Sequence, residues 1–184
     1  MKKAGRQTGF TLIELMVTLT IAGILLAIGV PSFNAFIKNS SLTTGVNELV
    51  GALNLARSEA VKRGSRVTVC KSANQTSCTN SNGWEQGWII FTDENNNAAY
   101  NPTGTPPETL IRVHAALNSA ITATSSAPVS NYVSYIASGR SQQTGGGSQS
   151  GNIRLCDDRS GNIGKNLAIS LSGRVRATSG ASCP

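Results

Sequence analysis

Two regimes of hydrophobic patterning divide the chain. Residues 10–30, FTLIELMVTLTIAGILLAIGV, are apolar almost without a break and carry a single carboxylate, Glu14. A run of this length suits a membrane span of about 20 residues. Beyond Pro31 the pattern becomes amphipathic, with Val46, Leu49, Val50, Leu53, Ala56, Ala60 and Val61 recurring at helical spacing up to Lys62 and Arg63. The spacing predicts one long helix over residues 10–63, ended by Gly64. Residues 10–31 form its membrane-spanning half, and residues 32–63 an amphipathic half with one apolar face laid against a sheet. Pro31 is expected to kink or loosen it.

After Gly64 the pattern changes to short stretches rich in β-branched and aromatic residues, separated by turn clusters. Residues 66–71, 88–92, 110–115, 132–136, 152–157, 167–172 and 174–177 read as strands of antiparallel sheets. Residues 138–151, with Gly145, Gly146 and Gly147 at their centre, read as a flexible low-complexity loop. The segment 64–184 is therefore one β-rich globular domain that ends in a basic tail, and the whole is an α+β chain.

The N-terminus departs from an ordinary export signal. A secretory signal peptide is cut after its apolar run, whereas here the unusual residues precede the run. A carboxylate within a bilayer costs several kcal/mol unless something pairs with it, so Glu14 should have a task. Gly9, Phe10, Thr11, Leu12, Ile13, Glu14 and Leu15 together resemble the prepilin motif shared by type IV pilins and type II secretion pseudopilins. The resemblance implies that residues 1–9 are a leader, removed between Gly9 and Phe10 by a prepilin peptidase of the inner membrane, and that Phe10 is then methylated. It also implies that Glu14 pairs with the terminal amine of a neighbouring subunit. Opposite charges in a low-dielectric setting favour one assembly register. The expected course is a single-pass inner-membrane precursor that passes through the periplasm into an extracellular pilus, with other major and minor pilins as partners. Residues 10–31 would then serve as the filament-core helix.

Two further strings, ALNLARSEAVKRGSRVTVC (52–70) and GWEQGWIIFTDENNN (83–97), are similar to the pseudopilin H and FimT/FimU group of minor pilins. The likeness covers the helix and the strands through Ile111; nothing specific is recognised over residues 115–152. It implies the type IV pilin fold, a long helix packed on two antiparallel β-sheets, in a subunit present in few copies, often near the filament tip.

Composition sharpens this picture in two places. Aromatic content of 5% and charged content of 14%, with abundant glycine, serine, asparagine and threonine, suit a turn-rich β domain facing extracellular solvent. The formal charge of +7 overstates the mature protein, because Lys2, Lys3 and Arg6 lie in the leader and their loss leaves 13 basic against 9 acidic side chains. Four cysteines in an exported chain favour two disulfides. Chain order suggests Cys70 with Cys78 and Cys156 with Cys183, although three connectivities are formally open. A zinc site is disfavoured by the lack of a Cys-x-x-Cys and by a single histidine.

Little catalytic chemistry is legible. Asp93, Asn95 and Asn97 alternate like the start of a calcium loop, but the sixth position lacks its glycine and Gly104 stands where a bidentate glutamate is needed, so a plain turn is expected. His114 is the sole histidine and makes a nucleophilic triad improbable. With no G-x-S-x-G elbow and no phosphate-cradling glycine loop, neither an enzyme nor a cofactor is expected.

The basic tail is the candidate binding element. From Arg140 onward stand Arg140, Arg154, Arg159, Lys165, Arg174 and Arg176 against Asp157 and Asp158 alone. In Gly173, Arg174, Val175 and Arg176, an extended backbone puts both guanidiniums on one face and Val175 on the other, their stems about 6.6–6.8 Å apart, roughly two base-pair steps. The tetrad is similar to the motif credited with DNA capture in FimT-type minor pilins of naturally transformable bacteria. That resemblance makes Arg174 and Arg176 the main phosphate contacts, with Gly173 in the motif and Lys165 and Arg159 as added contacts. No aromatic residue lies from Gly161 onward, so contact would be with the phosphates of double-stranded DNA rather than with stacked bases. The competing readings are a solvated edge whose arginines discourage strand pairing or meet an acidic neighbour, and a type II secretion pseudopilin with no DNA-binding role.

Overall fold

The structure is a computed structural model and describes residues 9–184. Residues 1–8, which carry nearly all of the expected leader, lie outside the described residues. Two compact units divide the chain, residues 1–39 and 40–184.

A single helix, α1 (Leu12–Arg63), runs through Pro31 without ending there. Its start was not foreseen in detail: Thr11 and Glu14 form a capping box. The Thr11 amide donates to Glu14 Oε2 at 2.9 Å, and the Glu14 amide donates back to Thr11 Oγ1 at 3.3 Å. Residues 12–34 are all exposed, and an 18-residue stretch of α1 near the N-terminus has a mean hydropathy of 2.3, so the helix is long and apolar enough to cross a membrane. The hydroxyls within this stretch are satisfied by the helix itself, since Thr18, Thr20 and Ser32 donate to the carbonyls of Leu15, Met16 and Ile28. A lipid-facing helix needs its polar groups paired internally in this way.

In the second unit, the last six turns of α1 bury Leu42, Gly45, Val46, Leu49, Ala52, Leu53, Ala56 and Ala60. Spacings of three and four put these on one stripe. Val61, expected among them, is exposed. The stripe shares one core with two four-stranded antiparallel sheets. The first has the order β3-β2-β1-β5, built from β1 (Val67–Lys71), β2 (Trp88–Thr92), β3 (Leu110–His114) and β5 (Tyr132–Tyr135). The second has the order β4-β6-β7-β8, built from β4 (Thr122–Ser125), β6 (Gly151–Cys156), β7 (Gly161–Ile169) and β8 (Val175–Cys183). The expected α+β pilin-type arrangement of helix on antiparallel sheets is thus observed.

Five expected strands agree with β1, β2, β3, β5 and β6 to within a residue. The last two are only the adjoining ends of a longer hairpin, β7–β8, whose outer parts are polar and glycine-rich. β4 was not foreseen, because in TATS only Ala123 is buried and no hydrophobic period can be read from one residue. Residues 138–151, expected to be flexible, are folded down. The Gln149 amide is fully buried, accepting from the Ser134 amide at 2.8 Å and donating to the carbonyls of Tyr132 (2.9 Å) and Pro128 (3.2 Å). The buried Ser141 hydroxyl bridges the carbonyls of Gln149 and Ser170. His114 stacks on Trp88 with ring centroids 4.1 Å apart. The disulfides pair in chain order, Cys70 with Cys78 and Cys156 with Cys183. The second joins the end of β6 to the end of β8.

Candidate functional site

The tetrad Gly173–Arg176 sits at the β7–β8 turn. Ser170 and Arg174 close a three-residue loop, with the Ser170 amide donating to the Arg174 carbonyl at 3.0 Å and the Gly173 amide to the Ser170 carbonyl at 2.9 Å. Gly173 has φ +77°, the left-handed conformation that such a loop demands at its last position. It is also packed from beneath: a Cβ there would collide with the carbonyl oxygen of Gly139 and stand 3.1 Å from the Tyr135 ring. Arg57 of α1 fastens the same spot, donating through Nε to Gly139 O (2.9 Å) and through Nη2 to Ser172 O (3.2 Å). The glycine of the tetrad therefore shapes the turn. Gly173→Ala is expected to cost about 2–3 kcal/mol through strain and collision, lowering the melting temperature by roughly 6–10 °C in calorimetry.

Register assigns the faces. Val175 opposes Ile169 and Ala177 opposes Leu167, whereas Arg176 opposes Ala168 and Thr178 opposes Asn166. Ile169, Leu167 and the half-buried Val175 belong to the core, so Arg176 points to solvent. Arg174 is exposed two residues earlier, and the two arginines border one shallow groove with Ser170 and Ser172. The expected split, arginines outward and Val175 inward, is what the hairpin displays.

The same register brings in a residue that the motif did not contain. Asn152 and Arg154 of β6 oppose Ala168 and Asn166 of β7, and Thr124 of β4 opposes Arg154. Arg154 therefore shares the outer face with Arg176, one strand away on either side of β7, about 10 Å in strand spacing. Its Nη1 donates to Ser182 O at 2.8 Å, which lays the guanidinium along the sheet. The alternation of N-I-R-L-C, with Ile153 and Leu155 fully buried, was the signal that could have found it. β4, β6, β7 and β8 contain no aspartate or glutamate, so this face carries positive charge unopposed by its own strands.

Two expected contacts lie elsewhere. Lys165 falls on the Leu167 and Ile169 side of β7, opposite Arg176, and donates to Ser179 Oγ at 2.8 Å. Arg159, in the turn after β6, clasps Asp157 with Nη2–Oδ2 at 2.6 Å and Nε at 3.1 and 3.0 Å from the two oxygens. Those hydrogen bonds to Asp157, with the charge of Asp158 behind them, push the guanidinium further toward its charged form and neutralise it locally. The structure brings Arg174 and Arg176 to one groove, places the Arg154 guanidinium farther along the same face toward Ser182, and sets Lys165 and Arg159 apart from them.

At the other end of the chain Gly9 and Phe10 are exposed, and Glu14 is bound by the Thr11 amide and hydroxyl through one oxygen, Oε2.

Comparison with known proteins bears on both ends. A prokaryotic N-terminal methylation motif matches residues 5–30, and the family described as type II transport protein GspH matches residues 45–173. The type IV major fimbrial protein FimA of Dichelobacter nodosus is 35% identical over 105 residues, covering 55% of this chain and 60% of that protein. Fimbrial protein Q of Moraxella bovis is 41% identical over 70 residues, 38% of this chain and 44% of that protein. The chain thus spans between about two fifths and three fifths of the length of these relatives. In fold it is similar to the type IV minor pilin FimU of Pseudomonas aeruginosa, with TM-score 0.57 and 20% identity over 81% of this chain and 99% of that one. It is similar also to the minor pseudopilin EpsH of the Vibrio cholerae type 2 secretion system, with TM-score 0.50 and 9% identity over 76% of this chain and 97% of that one. With the family model covering well over half of its residues, the chain belongs to the GspH family of type IV pilin and pseudopilin subunits.

Proposed function

We propose that this chain is a minor subunit of a type IV pilus that helps to initiate or cap the filament, and that the outer face of its terminal sheet holds duplex DNA during natural transformation. Prepilin peptidase would release the subunit between Gly9 and Phe10, and its apolar helix would hold it in the inner membrane until assembly. The observation that supports the DNA reading is the exposed pair Arg174 and Arg176 on a face whose strands hold no acidic residue, with Arg154 farther along it. Arg174 and Arg176, with stems about 7 Å apart, would meet neighbouring phosphates without reading sequence. Binding of this type is weak, indifferent to base order and sensitive to salt.

The test is fluorescence anisotropy of a labelled duplex with the full-length protein in detergent, across a salt series. Two phosphate contacts predict a log–log slope of about −1.8, and the Arg174→Gln/Arg176→Gln protein should lose nearly all of it along with most of the affinity. An unchanged slope and affinity in the double variant would remove DNA from the proposal. A type II secretion pseudopilin is the second reading, favoured by the GspH match over residues 45–173, and it predicts no DNA binding at all.

A further inference from the structure

The loop joining β2 to β3 carries a feature that pilus assembly and DNA binding leave unused. By sequence it fails as a calcium loop for want of a glycine in sixth place and a glutamate in twelfth. The fold supplies the first by other means and brings a later carboxylate, Glu108, back to the loop. Counting Asp93 as first, the sixth residue is Ala98, whose φ of +56° is the left-handed conformation a glycine would provide. Asp93 folds the loop back over itself: Oδ1 accepts the Asn97 amide at 2.9 Å, and Oδ2 accepts the Ala98 amide at 3.1 Å and the Thr68 hydroxyl at 2.8 Å.

The missing glutamate arrives late. At Asn101, ninth in the loop, residues 102–107 leave as an excursion that closes on itself, the amides of Gly104 and Glu108 both donating to the Asn101 carbonyl at 3.3 and 3.2 Å. Six residues are looped out, and the chain re-enters at Glu108. Its carboxylate turns back into the loop, where Oε2 accepts the Asn101 amide at 2.7 Å. Only 4% of Glu108 is exposed, and Oε1 is buried with no hydrogen-bond donor. Burial raises the pKa of this carboxyl first and the like charges of Asp93 and Glu94 add to it, while the backbone amides of Asn101 and Asn95 favour its charged form; an oxygen left without a donor there is costly.

We propose that the loop 93–108 is a calcium-binding site in which Asp93, Asn95, Asn97, the Ala99 carbonyl and Glu108 present oxygens to one Ca²⁺, with water completing its shell. A donor set of oxygens alone, with no histidine or thiol, suits a hard cation. Six to eight ligands from a pliant loop suit Ca²⁺ better than Mg²⁺, which demands a tight octahedron. Two carboxylates make a site of the weak extracellular class, with Kd of about 10⁻⁴–10⁻³ M. The ion would tie the entry of β3 to β2, where Thr92 and Thr109 already exchange hydrogen bonds.

Full-length protein in detergent, stripped with EDTA, is melted with and without about 5 mM CaCl₂; the melting temperature should rise by roughly 5 °C, and clearly less with equal MgCl₂. Tb³⁺ gives a second readout, its luminescence sensitised by Tyr100, eighth in the loop, and quenched by added Ca²⁺. Asn95 is exposed, so Asn95→Ala keeps the fold, and Glu108→Gln keeps the shape of the buried side chain. Both variants should bind Ca²⁺ at least about tenfold more weakly, as expected for a lost ligand. Equal melting of the wild type in Ca²⁺ and EDTA, a full wild-type response in both variants, or an equal shift with Mg²⁺ would each overturn the calcium assignment.

Discussion

Glu14→Ala is expected to reduce the amount of this subunit in sheared filaments by about 100-fold or more, with membrane levels and leader removal unchanged. In the filament core proposed for this subunit the carboxylate would face apolar surroundings, and a terminal ammonium of another subunit would offer its counter-charge. Removing one member of a buried ion pair costs about 3–5 kcal/mol because the other charge is left uncompensated. At 1.4 kcal/mol per tenfold, that corresponds to a loss of roughly two to three orders of magnitude in association. The capping box complicates a simple alanine variant, since Glu14 also caps its own helix through Oε2. Loss of a cap costs only about 1 kcal/mol. Glu14→Gln separates the two effects: the amide oxygen can still accept from Thr11, whereas the charge is gone. If Gln assembles like Glu and only Ala fails, capping explains the phenotype and the inter-subunit pair does not. Equal filament content for all three proteins, by immunoblot of sheared fractions against membranes, would dispose of the pairing altogether.

The legibility of this chain followed its hydrophobic contrast. The helix could be read because a continuous apolar run and then a stripe at spacings of three and four leave no other solution, and β1 and β2 because nearly every residue is buried. Val61 was misassigned because the stripe drifts around the helix, and a residue at its end leaves the sheet. β4, the outer part of β8 and the folded 138–151 segment are held mainly by backbone pairing and buried amides such as Gln149, which leave no periodic trace. The basic site was half legible. Arg174 and Arg176 stand two apart in sequence, whereas Arg154 comes to the same face only through the β6–β7 register, a long-range fact. A count by charge displays neither the inner side of β7 that Lys165 takes nor the grip of Asp157 on Arg159.

Trp84→Ala should be the most damaging single substitution in the globular unit, lowering its melting temperature by roughly 12–18 °C. Trp84 stands in a single 3-10 turn, Trp84–Gln86, between β1 and β2, and is fully buried in the core shared by α1 and both sheets. Its indole Nε1 donates to the Val129 carbonyl at 3.1 Å. Glu85 beside it accepts the amides of Gly83 and Ala123, so the same turn holds the first sheet's approach to β4. Truncating a buried tryptophan costs about 3–5 kcal/mol, and the Val129 carbonyl left without its donor adds about 1 kcal/mol. A loss of this size consumes a large part of the 5–15 kcal/mol that holds a typical domain together. Trp84→Phe fills most of the space and loses chiefly the hydrogen bond, so its loss should be only about 1–2 kcal/mol. Because β4 pairs with β6 of the same sheet, partial unfolding around the alanine should also weaken the DNA binding proposed for that sheet while leaving Arg174 and Arg176 chemically intact. An alanine protein that melts within about 3 °C of the wild type would mean that the two sheets do not depend on this side chain for their packing.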